Sequence, residues 1–296
     1  YSTKASIKPE HRPGDVGKFV VDLVVGGVSA ALSKTVVAPV ERVKLLLQVQ
    51  YSHKSIGVQN RYKGIVDAFI RVPSEQGFLS FWRGNFTNVM RYFPTQALNF
   101  AFNDLYKSVL LKDVSYTSGG CAGSTTLCFV YPLDFIRTRL SVDVGTHKAN
   151  RDYLGFVDCL KQTVQSDGVK GLYRGFFISI QTYFIYRAVY FGMYDTIRQS
   201  IEKDKKNLHF VSSFVIAQVV SIFSAYLTYP WDTVRRRMMI KGTLSTGKAF
   251  TAAKRILAEE GIPGLFKGGL ANILRLAVKH LKALFYKTQK HLLAFY

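Results

Sequence analysis

Three times this chain sets a carboxylate one helical turn ahead of a cation, and each time a proline stands two residues before the acid. The tracts read PVERVK (39–44), PLDFIR (132–137) and PWDTVR (230–235). Residues so placed make reversible ionic contacts, not covalent chemistry. No HExxH set, Walker loop or nucleophile–base arrangement occurs in the chain, so it does not read as an enzyme. Its three cysteines and six histidines form no ligand cluster, and no metal or cofactor is expected. Three further bases, Lys34, Arg91 and Arg275, lie inside apolar stretches. Ionisable groups there are costly and mark function by default. Arg91 and Arg275 each stand seven residues after a glycine, Gly84 and Gly268, and the equivalent place after Gly175 holds Thr182. Bases at depth without matching acids call for an anionic ligand, and arginine suits phosphate because its fork bonds two oxygens at once. Tyr183, Tyr186, Arg187, Tyr226 and Thr228 lie nearby in sequence pattern, and their aromatic faces suit stacking on a nucleobase.

The elements that carry these residues repeat. Six apolar segments, about 19–38, 92–106, 114–131, 176–195, 210–229 and 268–296, have lengths that suit bilayer-spanning helices of about 20 residues. Each proline tract is followed by a mixed helical pattern, then by EQGFLSFWRG (75–84), SDGVKGLYRG (166–175) or EEGIPGLFKG (259–268). Gly77, Gly168 and Gly261 are placed to close the intervening helices. The chain therefore reads as an all-α membrane protein: six transmembrane helices in three pseudo-symmetric repeats, each with a short helix on one side of the membrane. The repeats are set at 1–110, 111–203 and 204–296. An even number of spans puts both termini on the same side. Around a three-fold pseudo-axis the acid of one copy meets the base of another: Glu41 with Arg137, Asp134 with Arg235, Asp232 with Lys44. Such a ring closes one end of a cavity.

The net charge is +21, from 40 Lys+Arg against 19 Asp+Glu, while 48% of the 296 residues are hydrophobic. That excess points to an anionic partner. A nucleic-acid-binding protein would show solvent-facing basic stripes without long apolar segments, so nucleic acid is excluded as a partner. The first fourteen residues are basic and polar, without the apolar core of a secretory leader.

The three Px[DE]xx[KR] tracts with their trailing aromatic-base-glycine resemble the signature of the mitochondrial carrier family, over about residues 15–290. The tract RRRMM (Arg235, Arg236, Arg237, Met238, Met239), with RYFPTQALNFAF (91–102), resembles the adenine nucleotide branch of that family. The resemblance implies electrogenic exchange of magnesium-free ADP and ATP across the mitochondrial inner membrane, with both termini toward the intermembrane space. The alternative is a sibling carrier for another anionic solute or for protons. It implies that Lys34, Arg91 and Arg275 hold phosphates, and that adenine lies near Tyr186 and Thr228 in a slot bordered by Thr182 and Tyr183. Arg236 would reach into the path toward the nucleotide, Arg237 would hold helix geometry, and Gln48 would brace the matrix-side ring of Glu41, Lys44, Asp134, Arg137, Asp232 and Arg235. A second, cytoplasmic network would use Asp104, Lys107, Asp195 and Arg198. In its third copy Lys287 and Thr288 occupy the acidic places, and Lys279, His280 and Lys282 stand where the family has small or apolar residues. Tyr183 stands where the branch has a small aliphatic residue. Cardiolipin at the helix corners near Gly84, Gly175 and Gly268, and a functional monomer, complete the expectation.

Overall fold

The computed structural model describes residues 13–53, 56–109, 115–144, 151–202, 210–240 and 249–277, which form helices joined by turns. The first copy runs through α1 (Pro13–Val49), α2 (Ile65–Gln76), α3 (Asn85–Met90) and α4 (Tyr92–Val109). The second has α5 (Ser115–Val142), α6 (Phe156–Gly171) and α7 (Phe176–Glu202). The third has α8 (Phe210–Leu227), α9 (Tyr229–Met239), α10 (Ala249–Leu265) and α11, residues 269–277. Each copy is thus a long proline-bearing helix, a short helix and a return helix. The proline helices meet one another: α1 packs on α5 and α9, and α5 on α9.

The proline and the aromatic-base-glycine tract are physically linked. Proline has no N–H, so the carbonyl four residues earlier loses its helical partner. Pro39 orphans the carbonyl of Thr35, and the Trp82 indole N–H donates to it at 2.8 Å. Pro132 orphans the carbonyl of Cys128, and the Tyr173 hydroxyl donates to it at 3.0 Å. Pro230 orphans the carbonyl of Tyr226, but the aromatic residue here is Phe266, which has no donor and only stacks on the Tyr226 ring at 5.0 Å. The helices respond accordingly. α1 and α5 run unbroken through their prolines. The third breaks between α8 and α9 with a bend of 53°. A reverse bond joins the same segments, from the Tyr131 hydroxyl to the Arg174 carbonyl at 2.7 Å and from Tyr229 to the Lys267 carbonyl at 2.8 Å. Copy one has Ala38 at that place and cannot form it. Pro94 has the same effect on Met90, where α3 ends; α4 begins after one intervening residue, Arg91.

The return helices start on tight glycines. Gly84 and Gly268 have φ of 76° and 82°, a left-handed backbone that side chains other than glycine's resist. A Cβ on Gly268 would sit 3.1 Å from the Lys44 carbonyl, so glycine lets the return helix of copy three touch α1. Gly77 ends α2, whereas Gly168 and Gly261 fall inside α6 and α10 as kinks with positive φ.

Apolar residues pack at the short-helix end. There Val43, Leu46, Leu47 and Val49 of α1 meet Ala68 and Val72 of α2, and Tyr131, Phe135 and Ile136 of α5 meet Cys159 of α6. The outward faces are apolar too. Val24, Val28, Leu32 and Val36 form an exposed stripe along α1, and Val215, Val219 and Phe223 another along α8. A four-residue step keeps such residues on one helix face. With apolar character confined to a stripe, hydropathy over whole helices does not confirm the expected six apolar spans. Among the described residues no single helix is long and apolar enough to cross a membrane, and one bent pair, Phe214–Leu227 with Tyr229–Met239, meets that test. The inward faces carry charged and small polar residues, which lower the average over any window.

Candidate functional site

The acids and bases of the three proline tracts converge where α1, α5 and α9 meet. Lys44 donates to Asp232 at 3.0 Å, Arg137 to Glu41, and Arg235 to Asp134. Every contact joins two different copies. Gln48 lies under the ring, its amide donating to Asp232 at 3.3 Å and to the Thr233 hydroxyl at 3.0 Å. Asn88 donates to Glu41 at 3.3 Å from above.

Further cations join the same carboxylates. Arg91 donates to Asp134 at 3.0 Å, and an Arg275 nitrogen is 3.6 Å from Glu41. Arg236 lies 3.5 Å from both Asp134 and Asp232 and donates to the Thr138 hydroxyl. Arg236 is therefore tied to the ring acids while it also lines the cavity above them. Six cationic side chains share three carboxylates. The floor of the bundle keeps a cationic surplus even with every acid engaged.

One turn lower lies a second cycle that the spacing argument missed. Arg42, Arg139 and Arg237 are the three largest fully buried side chains among the described residues. Each caps the end of another copy's proline helix. Arg42 Nε donates to the Ser141 carbonyl at 3.1 Å, Arg139 Nε to Met239 at 2.8 Å, and Arg237 Nε to Gln48 at 3.1 Å. The unpaired carbonyls at a helix C-terminus and its dipole favour a cation there. Each also reaches back to the short helix of its own copy: Arg42 to Gln76 at 2.7 Å, Arg139 to Thr163 at 3.0 Å, and Arg237 to both carboxylate oxygens of Glu260. The base of each aromatic-base-glycine tract meets the same short helix, with Arg174 on Asp167 and Lys267 on Glu260, both at 2.8 Å. The available signal was a base seven residues after proline in copies two and three, Arg139 and Arg237. Met238 and Met239 are buried core residues that pack against Ile256 and Tyr131 respectively.

Above the ring is a cavity of about 420 Å³ lined by Thr182, Tyr183, Tyr186, Thr228, Arg236 and Arg275, among others. Arg91 lines a second cavity, of about 520 Å³, together with Tyr183 and Arg187. The Tyr186 ring stacks on Tyr190 with centroids 6.1 Å apart, and Tyr190 on Tyr194 at the same spacing. The Thr182 and Thr228 hydroxyls donate to helix carbonyls at 2.6 and 2.8 Å, so toward a ligand they offer acceptors. Lys34 stands apart from both cavities' linings. It donates to the Asn88 carbonyl at 2.8 Å with its ammonium 5.0 Å from the Tyr92 ring centroid.

At the opposite end, Asp104 and Asp195 make no ion pair among the described residues. The side chains of Lys107 and Arg198 lie outside the described residues, as do Lys279, His280, Lys282, Lys287 and Thr288. The described geometry is thus engaged at the proline-tract end. It can hold a polyanion above a floor of cations, against aromatic faces.

Comparison with known proteins agrees with this geometry. ADP/ATP translocase 2 of Rattus norvegicus is 52% identical over 273 residues, covering 87% of this chain and 92% of the relative. ADP/ATP translocase 3 of Homo sapiens is 51% identical over the same length and coverage. ADP/ATP translocase 4 of Homo sapiens is 51% identical over 285 residues, 92% of this chain and 90% of that protein. The family model described as mitochondrial carrier protein matches three times, at residues 15–114, 114–205 and 206–296. With a threefold match across nearly its whole length, the chain belongs to the mitochondrial carrier family.

Proposed function

We propose that this protein exchanges ADP for ATP across the mitochondrial inner membrane, by alternating access through its central cationic cavity. The observation that carries this is the shared use of cations: Arg91 and Arg275 face the cavities and contact the ring acids Asp134 and Glu41. Nucleotide phosphates compete with those carboxylates for the same guanidiniums. A bound nucleotide therefore draws Arg91 and Arg275 from the ring and lowers the cost of opening it. A ligand shifts a conformational equilibrium only through such differential contacts. Arg236, placed between Asp134 and Asp232, becomes available to phosphate as the ring parts. Adenine rests against Tyr186, between Thr182, Tyr183 and Thr228. Lys34 joins the phosphates after leaving the Asn88 carbonyl.

Asp104, Lys107, Asp195 and Arg198 then close the cytoplasmic end. With six helical spans both termini lie on one side, which this reading assigns to the intermembrane space. The substrates travel without magnesium, because the floor offers cations and the acids are already engaged. ATP outward against ADP inward moves one negative charge, which a potential of 100 mV biases by about 2.3 kcal/mol. The monomer suffices, since the path lies within one bundle. Cardiolipin fits a cleft of about 290 Å³ that brings Lys63 and the start of α2 beside Lys267 and the start of α11. Two helix N-termini and two cations favour a lipid phosphate.

The test is uptake of labelled ADP by vesicles containing the purified protein and loaded with ADP or ATP. Uptake that requires internal nucleotide and responds to an imposed potential is expected. Uptake equal to protein-free vesicles, with folded protein, overturns the reading.

A further inference from the structure

The central space is not one chamber. Tyr183 and Leu127 line both cavities and stand between them. The Tyr183 phenol lies against Gly123 of α5, where any Cβ would collide with its hydroxyl. Arg187 lies over the ring, with its guanidinium carbon 5.2 Å from the ring centroid. Nothing stronger holds the ring: among the described residues its hydroxyl makes no hydrogen bond, and no carboxylate pairs with Arg187. The compartment beyond Tyr183 has its own character. It presents two guanidiniums, Arg91 and Arg187, and three carboxamides, Gln96, Asn99 and Asn103. Carboxamides pair with the donor and acceptor edge of a purine, and guanidiniums with phosphate.

We propose that Tyr183, seated on Gly123 and covered by Arg187, is a movable partition in the substrate path, and that the compartment beyond it is a separate holding station for a nucleotide. The inference rests on the nucleotide-exchange reading and deepens it. Phosphate arriving in the upper compartment takes Arg187 from the face of the ring. The uncovered ring leaves Gly123, and the two compartments join. The nucleotide then passes toward Tyr186 and the ion-pair floor. Glycine at position 123 is what lets the partition close, and the station reads the base before the lower slot does.

The experiment compares ADP uptake by vesicles carrying the full chain with Gly123→Ala, Tyr183→Leu or both. Gly123→Ala changes the wild-type rate or KM because the added methyl unseats the ring. It has no further effect beside Tyr183→Leu, where no ring remains to unseat. Equal effects of Gly123→Ala in both backgrounds, or none in either, overturn the partition. If Gly123→Ala does not fold, recovery of folding by Tyr183→Leu supports the seating, and an unfolded double variant overturns it. For the station, Asn99→Ala raises the KM for ADP by about twofold to tenfold, the size of one lost hydrogen bond. It leaves competition by inorganic pyrophosphate unchanged, while Arg187→Gln weakens both. An Asn99→Ala variant that alters both equally, or neither, removes the base-reading station. Wild-type vesicles that exchange no ADP refute the exchange reading and this one with it. Wild-type exchange with additive variants refutes only the partition.

Discussion

Replacing Asp134 with asparagine strips a single carboxylate from three guanidiniums. Asp134 accepts from Arg235 and from Arg91 at 3.0 Å, lies 3.5 Å from Arg236, and its side chain is 2% exposed. Glu41 and Asp232 each serve two cations in places that are 19% exposed. Asp134 is therefore the hub, and its removal is the most damaging of the three. Taking one partner from a buried ion pair costs about 3–5 kcal/mol, because the remaining charge stays buried and uncompensated. Even the lower figure is about a hundredfold in an equilibrium constant. The asparagine amide worsens matters by turning donor hydrogens toward cations. The control is Asp67→Asn, which breaks a 3.5 Å contact to Arg71 in a pair 28% exposed on each side. Exposed pairs of that kind contribute about 0.2–1 kcal/mol. Thermal unfolding of the purified proteins in one detergent gives the comparison. Asp134→Asn should melt well below wild type and Asp67→Asn close to it. Comparable melting of the two variants refutes the view that the ring holds this state together.

Three further outcomes are expected. Phe266→Tyr supplies the donor that copy three lacks for the Tyr226 carbonyl and should add about 1 kcal/mol, read as a higher melting temperature; no gain refutes the account of the 53° break. Arg42→Met leaves the buried Ser141 carbonyl without its donor, while the Ser80 and Asp143 carbonyls keep a bond from Arg83, and should cost about 1–3 kcal/mol, so that a variant as stable as wild type removes the lower cycle from the argument. The Glu260 carboxyl would be raised by burial, but hydrogen bonds and charge from Arg237 and Lys267 outweigh this and hold it below its ordinary value of 4.5. Its stabilising contribution is thus complete above that value and is lost as pH falls through the lowered one, so Glu260→Gln should flatten the acid limb of the stability profile.

The contacts between repeats were legible because one pattern occurs three times. Once three helices converge, the acid at position 41, 134 or 232 has only a neighbouring copy's base at the same depth. The cavity cations Arg91 and Arg275 were legible from their matched distance to a glycine. Their second contact, to Asp134 and Glu41, was not, because it depends on side-chain reach and not on register. The buried cycle of Arg42, Arg139 and Arg237 was hidden because copy one breaks the pattern, offering Leu46 where the others have arginine. The Tyr183–Gly123 contact was hidden for a different reason: the sequence showed a bulky residue in α7 and a small one in α5, 60 residues apart, and nothing to join them. Whole-helix hydropathy leaves the span count unconfirmed, because a helix with one apolar and one polar face averages the two.

The lower arginines also say something about how the chain comes together. Arg42 leans on copy two, Arg139 on copy three, and Arg237 back on copy one. The loop of dependence closes only when the last copy arrives. A chain halted after two repeats holds one satisfied arginine, one buried cation with no helix end to cap, and a first helix whose own terminus stays bare. Partial products of synthesis are therefore not smaller stable versions of the protein. The third repeat acts as a keystone, and commitment to the native arrangement waits until it is in place.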